Sequence, residues 1–195
     1  MSRTIRSTVL AVALIMLICV KVQAGTIDPG NGIILDSGLY TSGSLVTSGL
    51  VPLNKLSNKK SLQKGSSNAE LQAAYNVAAN IVTPLIGQSR ENQLYGIASS
   101  VRSLADNGYI TYSTSVPHYN DPYGYFVVGV GSCAGETRAI GLCLNMLGIP
   151  YEHVNENKWS HQWCRVAMTD GTHWIVDAYG LYVGPEPAPY THPYL

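Results

Sequence analysis

The sequence predicts an α+β domain in which N-terminal helices and a central cysteine-bearing helix pack on an antiparallel sheet. Three observations carry this expectation. Two amphipathic helical patterns fill residues 67–108. A third begins at Cys133, where a short apolar run ends, and continues to Gly148-Ile149-Pro150. After it come strand-like runs joined by a tight turn at Thr169-Asp170-Gly171. Helices followed by strands, rather than alternating with them, make an α+β order.

The chain has 195 residues, enough for one domain with a tail. It opens with Arg3 and Arg6, an apolar run over residues 9–20 and a small-residue site at Val22-Gln23-Ala24. This is the layout of a secretory signal peptide (residues 1–24) cut after Ala24. Its apolar run is well short of the roughly 20 residues that span a bilayer, so no stable membrane insertion is expected after cleavage. A secreted or cell-surface protein follows. Twelve Lys and Arg balance twelve Asp and Glu, and charged residues make up only 12%. That balance argues against a nucleic-acid partner and an electrostatic membrane-binding face.

Residues 25–66 are rich in Gly, Ser, Thr and Asn, and no apolar period persists there; they are read as a linker or a loosely docked arm. Ser67-Asn68-Ala69-Glu70 fits a capping box, followed by Leu71, Ala74, Tyr75, Ala78 and Val82 on one helical face. Pro84 and Gly87 end that helix. A second helix starts near Ser89, carries Leu94, Ile97, Val101 and Leu104, and stops at Asn107-Gly108. Between Tyr109 and Tyr125 lie five tyrosines and His118, in a loop read evenly as a groove wall or as a segment packed on itself. Residues 125–130 read as extended. Strands are expected over residues 151–154, 161–168 and 173–177, and residues 185–195 as a proline-rich tail; the domain itself is set at residues 67–184.

A thiol in the first turn of a helix sits at the positive end of the macrodipole, which favours thiolate over thiol. Cys133 is therefore a candidate nucleophile. His161 follows as base and Asp177 as the carboxylate that orients it, with the backbone N–H of Cys133 as one oxyanion donor. Taken alone, Cys133 is better explained as a buried structural thiol. Glu136 is explained by stabilisation of the helix N-terminus. His118, His153, His173 and His192 read as surface or hydrogen-bonded structural residues.

Four motifs change the balance. Gly131-Ser132-Cys133, Leu147-Gly148-Ile149-Pro150, His161-Gln162-Trp163 and Trp174-Ile175-Val176-Asp177 occur in order, with Asp121-Pro122-Tyr123-Gly124 upstream. Together they resemble the bacterial transglutaminase-like domain of the papain-like superfamily, over roughly residues 90–182. The resemblance implies a papain-like fold and a Cys133, His161, Asp177 triad. It further implies a thiol-dependent acyl transfer from an amide or peptide bond of a peptide, protein or peptidoglycan substrate. The outcome is hydrolysis, as in a cysteine peptidase or amidase, or transfer to an amine, as in a protein-glutamine transferase. No cofactor and no metal is called for. The alternatives are an NlpC-type cell-wall peptidase, whose usual Asp before the cysteine is replaced here by Ser132, and a non-enzymatic secreted binding module that keeps the fold.

The hairpin register is a test of the triad. A two-residue Asp170-Gly171 loop turns His161 and Asp177 to opposite faces of the sheet. A three-residue loop with Gly171 left-handed pairs Met168 with Thr172 and Trp163 with Asp177, and makes His161 and Asp177 diagonal neighbours. The three-residue loop is therefore expected. If His161 faces the central helix, the same alternation turns Cys164 away from it, and Cys143 and Cys164 remain reduced and buried.

Overall fold

The computed structural model describes residues 49–188. The expected signal peptide, residues 25–48 of the expected arm and residues 189–195 of the expected tail lie outside them. The architecture is mixed helix and sheet, with a four-stranded antiparallel sheet and a small parallel pair. Among the described residues no helix is long and apolar enough to cross a membrane.

The helices form where their stripes and caps place them. Helix α1 (Lys59–Gln63) is short. Helix α2 (Asn68–Val82) starts on the expected capping box: Ser67 Oγ accepts from the Glu70 N–H, and the Glu70 carboxylate accepts from the Ser67 N–H at 2.7 Å. Helix α3 (Arg90–Asp106) is capped by Ser89 and buries Leu94, Ile97, Ala98 and Val101. Helix α4 (Cys133–Met146) is buried from Ala134 to Met146. A helix sealed on all sides is the centre of a core rather than a surface element. Helices α2 and α3 and the sheet pack around it.

Residues 49–66 depart from the linker expectation. Leu50, Leu56 and Leu62 enter the main core, and Leu62 is fully buried. The Val51 N–H donates to the Met146 carbonyl at 2.8 Å, and the Tyr75 hydroxyl donates to the Val51 carbonyl at 2.9 Å. The packed unit thus begins upstream of residue 67. Its anchors stand six residues apart, a spacing with neither helical nor strand period, so the polar background hides them.

Residues 125–130 also differ from the extended reading. Gly124–Val128 makes one wide helical turn, closed by the Gly129 N–H donating to the Gly124 carbonyl. Asp121 nucleates it by accepting the Gly124 N–H at 2.9 Å, and Tyr125 anchors it by donating to the Val101 carbonyl. A local cap and a buried tyrosine here override the strand propensity of Val127 and Val128. Only Val130–Gly131 (β2) is extended, running parallel to Thr111–Tyr112 (β1).

The main sheet has the order β3 (Glu152–Val154), β4 (Trp163–Ala167), β5 (His173–Asp177), β6 (Tyr182–Pro185), antiparallel throughout. Ala167 stands opposite His173 and Cys164 opposite Val176. The Met168 N–H donates to the Thr172 carbonyl at 2.9 Å, and Gly171 has φ +85°. This is the three-residue loop that the triad requires. Strand β6 begins inside the segment expected to close the domain, and Pro185 is tolerated because it lies on the sheet's outer edge.

One directional expectation is overturned. Cys164 does not turn away from α4; its Sγ donates to the Thr137 carbonyl at 3.3 Å, and Cys164, Val166 and Val176 make the helix-facing side of the sheet. Trp163, Ile175 and Tyr182 form a separate cluster on the other side. The strict alternation fails at His161 because His161 and Gln162 precede the strand and are not bound by its pleat.

Candidate active site

Cys133 is the first residue of α4, and three contacts fix its backbone. The N–H and the hydroxyl of Ser132 both donate to the Tyr119 carbonyl, at 2.9 and 3.2 Å. Thr137 Oγ1 donates to the Cys133 carbonyl at 2.7 Å. Gly135 lets the Tyr119 loop approach, since a Cβ there would lie 2.6 Å from the Tyr119 oxygen. The Cys133 N–H, at the first helical position, has no carbonyl four residues earlier within the helix to receive it. Cys133 is half-buried, whereas Cys143 and Cys164 are sealed in the core, and all three are reduced.

The three expected site residues come together. His161 Nε2 lies 2.5 Å from Asp177 Oδ2, and Cys133 is near enough to raise the proton affinity of the ring. Asp177 Oδ1 accepts the Gly180 N–H at 2.7 Å, so both carboxylate oxygens are held. His161 and Asp177 are only 4% and 1% exposed. Burial pulls the imidazole pKa down. The hydrogen bond to Asp177, and then the neighbouring Cys133 and both charges, outweigh it and carry the pKa up to about 9. The ring is also flanked by aromatic faces: Trp163 stacks on it at 5.9 Å, and Tyr179 lies tilted at 5.5 Å. Such faces favour a cationic ring.

Glu136 is more than a helix-terminus charge. It is 3% exposed and points inward, where its Oε1 accepts the Tyr179 N–H at 2.5 Å. Burial, and then the neighbouring Asp177 charge, hold its carboxyl well above the usual range. Glu136 thereby fixes the turn that lays Tyr179 against His161. The sequence signal for Tyr179 was its place two residues after Asp177; nothing local marks Glu136 as buried.

The other histidines follow the structural reading where they are described. His118 Nδ1 lies 2.9 Å from Asp121 Oδ2. His153 is pushed down to about 4, by burial first and by Arg138 next, and its Nε2 meets Gln162 Oε1 at 2.8 Å. His192 lies outside the described residues.

A cavity of about 540 Å³ opens over Cys133 and His161. Tyr112, Thr114, Tyr119 and Asn120 from the tyrosine-rich loop line one side, so that loop is a groove wall. Lys64, from the residues expected to form the arm, and Lys158 and Trp159, from the loop before His161, line the other. Trp159 is 97% exposed. Sequence reasoning missed Lys64, Lys158 and Trp159, because no motif contains them. Among the described residues no group of three or more His, Cys, Asp or Glu side chains is placed to hold a metal ion. The chain matches no protein-family model and no curated protein.

Proposed function

We propose that the protein is a secreted, thiol-dependent acyl-transfer enzyme acting on an amide bond, with the papain-like, transglutaminase-like fold that its four motifs resemble. One observation carries the reading: a single buried imidazole is hydrogen-bonded to a buried carboxylate and shares one cavity with a helix-terminal, half-buried sulfur that raises its pKa. A structural thiol has no use for that arrangement.

In the proposed reaction the Cys133 sulfur attacks the carbonyl carbon, and the new C–S bond moves charge onto the oxygen. The Cys133 N–H donates to that oxygen. The tetrahedral centre collapses to a thioester as the C–N bond breaks, and imidazolium His161 gives its proton to the departing amine. Neutral His161 then takes a proton from the incoming water or amine as its C–O or C–N bond forms and the C–S bond breaks. Sulfur and imidazolium are restored. Asp177 holds the ring and its charge throughout.

Hydrolysis is the favoured outcome. The cavity rim is solvent-exposed at Trp159, so water reaches a thioester there. Incubating the protein with peptide and peptidoglycan libraries, with and without a primary amine, separates the outcomes by mass. Hydrolysis adds water and transfer adds the amine, and both cease in Cys133→Ser. Turnover that survives this substitution refutes the mechanism. An intact library, with a Cys133 thiol that iodoacetamide labels no faster than a free thiol, supports the binding-module alternative.

A further inference from the structure

Resting on Cys133 as the nucleophile, we infer that the substrate presents a carboxylate close to the reacting carbonyl, received by Lys64 and Lys158. The cavity is lined by Lys64, Arg138 and Lys158, and by no Asp or Glu. Arg138 is already committed: it pairs with Glu156 at 3.1 Å and donates to the carbonyls of Ser61, Asn120 and Ala134. The surplus lies in the two lysines. Neither has an ion-pair partner within 4 Å among the described residues. In a chain of zero formal net charge, this is a local concentration of positive charge at the one cavity that contains Cys133.

Lys64 is also held in place. Lys64 has φ +45° and Asn157 has φ +65°, both in the left-handed region that non-glycine residues seldom adopt. The two are tied together, Lys64 Nζ donating to Asn157 Oδ1 at 2.5 Å across 93 residues of sequence. Backbone strain of this kind persists where surrounding structure fixes it, and clusters at ligand clamps. Lys64 is crowded as well: partial burial and the Arg138 charge lower its pKa, and the Glu156 charge offsets them only in part. A carboxylate arriving from solvent relieves that repulsion, whereas a cationic or neutral substrate does not. The neighbouring rings of Tyr112 and Tyr179, 5.9 Å apart, line the same cavity. They leave an apolar path for the chain that carries the anion.

Two alkylating reagents of nearly equal size test this on the whole protein. Iodoacetate is an anion and iodoacetamide is neutral, and the ratio of their rates at Cys133 reads the local field independently of thiol reactivity. His161 contributes equally in every variant compared. The ratio in wild type is expected to exceed that of Lys64→Gln/Lys158→Gln by about three- to tenfold at low salt, with the difference shrinking as salt rises. Lys64→Arg/Lys158→Arg should restore it. N-acetylglycine, an anion, should protect wild-type Cys133 at lower concentration than its neutral amide N-acetylglycinamide, and lose that advantage in the glutamine double variant. Slow alkylation of wild-type Cys133 by both reagents overturns the nucleophile and this inference with it. Fast alkylation by iodoacetamide, with a ratio unaltered in the glutamine double variant, overturns this inference alone.

Discussion

Asp177→Asn is the most informative single change, because it removes one charge and almost no volume. His161 stands at about 9 against an ordinary value near 6.5. The gap corresponds to about 3 kcal/mol of preference for the protonated ring. Burial opposes it, and the largest contribution in its favour is the Asp177 hydrogen bond, before that of Cys133 and the two charges. Asparagine has one oxygen for two donors, the His161 Nε2–H and the Gly180 N–H, and loses the charge, so the titration should move down by about 1–2 pH units. A drop on the order of 10²–10⁴ in kcat is expected as the ring loses its orientation. The assay is an NMR titration of the His161 ring protons in wild type, Asp177→Asn and Cys133→Ser. The linkage has a definite sign: the folded value lies above the unfolded one. The stability this pair contributes is therefore full below about pH 6.5 and lost as pH rises through about 9. A midpoint that stays near 9 in Asp177→Asn would show that the carboxylate does not set the proton affinity of the ring.

Three further changes test the surroundings of the site. Leu62→Ala should destabilise the fold by about 2–5 kcal/mol in urea unfolding, as for other fully buried leucines, whereas a loose arm would lose almost nothing. Glu136→Gln should keep the Tyr179 hydrogen bond and most of the activity, while Glu136→Leu strands that N–H at about 1–3 kcal/mol and lowers kcat. Because the folded carboxyl of Glu136 is raised, wild type should lose stability as pH climbs above about 4.5 and Glu136→Gln should not share that loss; parallel pH–stability curves would refute the buried neutral acid. Trp159→Ala should raise KM about tenfold with little change in kcat, since an aromatic 97% exposed at the rim contributes contact area rather than chemistry. A fall confined to kcat would count against that role.

The helices and the meeting of His161 with Asp177 were legible in the sequence for local reasons. A capping box, two apolar stripes and a Gly/Pro stop leave signatures within a few residues, and the hairpin's parity followed from requiring His161 and Asp177 to meet. What stayed hidden depends on distant partners. Leu50, Leu56 and Leu62 look like isolated apolar residues in a polar tract until α4 is in place beneath them. Val127 and Val128 suggest a strand because the controlling interaction is the Asp121 side chain upstream. Cys164 was assigned to the wrong face because pleat alternation was extended past the strand's first residue, to a histidine that lies in the preceding loop. Lys64 and Asn157 meet only after 93 residues of chain have folded between them.

The sorting of the thiols has a chemical consequence. Two sulfurs are enclosed by the core, where burial raises their pKa and keeps them from oxidants as well as from reagents. The third is open to solvent at the mouth of a cavity. Among the described cysteines, an oxidant in the surrounding medium therefore meets one thiol, and it is the one the proposed chemistry needs. Neither buried cysteine can resolve a sulfenic acid at Cys133 into a disulfide without opening the core. Among the described residues no further thiol is placed to reverse such damage, so recovery depends on a reductant supplied from outside.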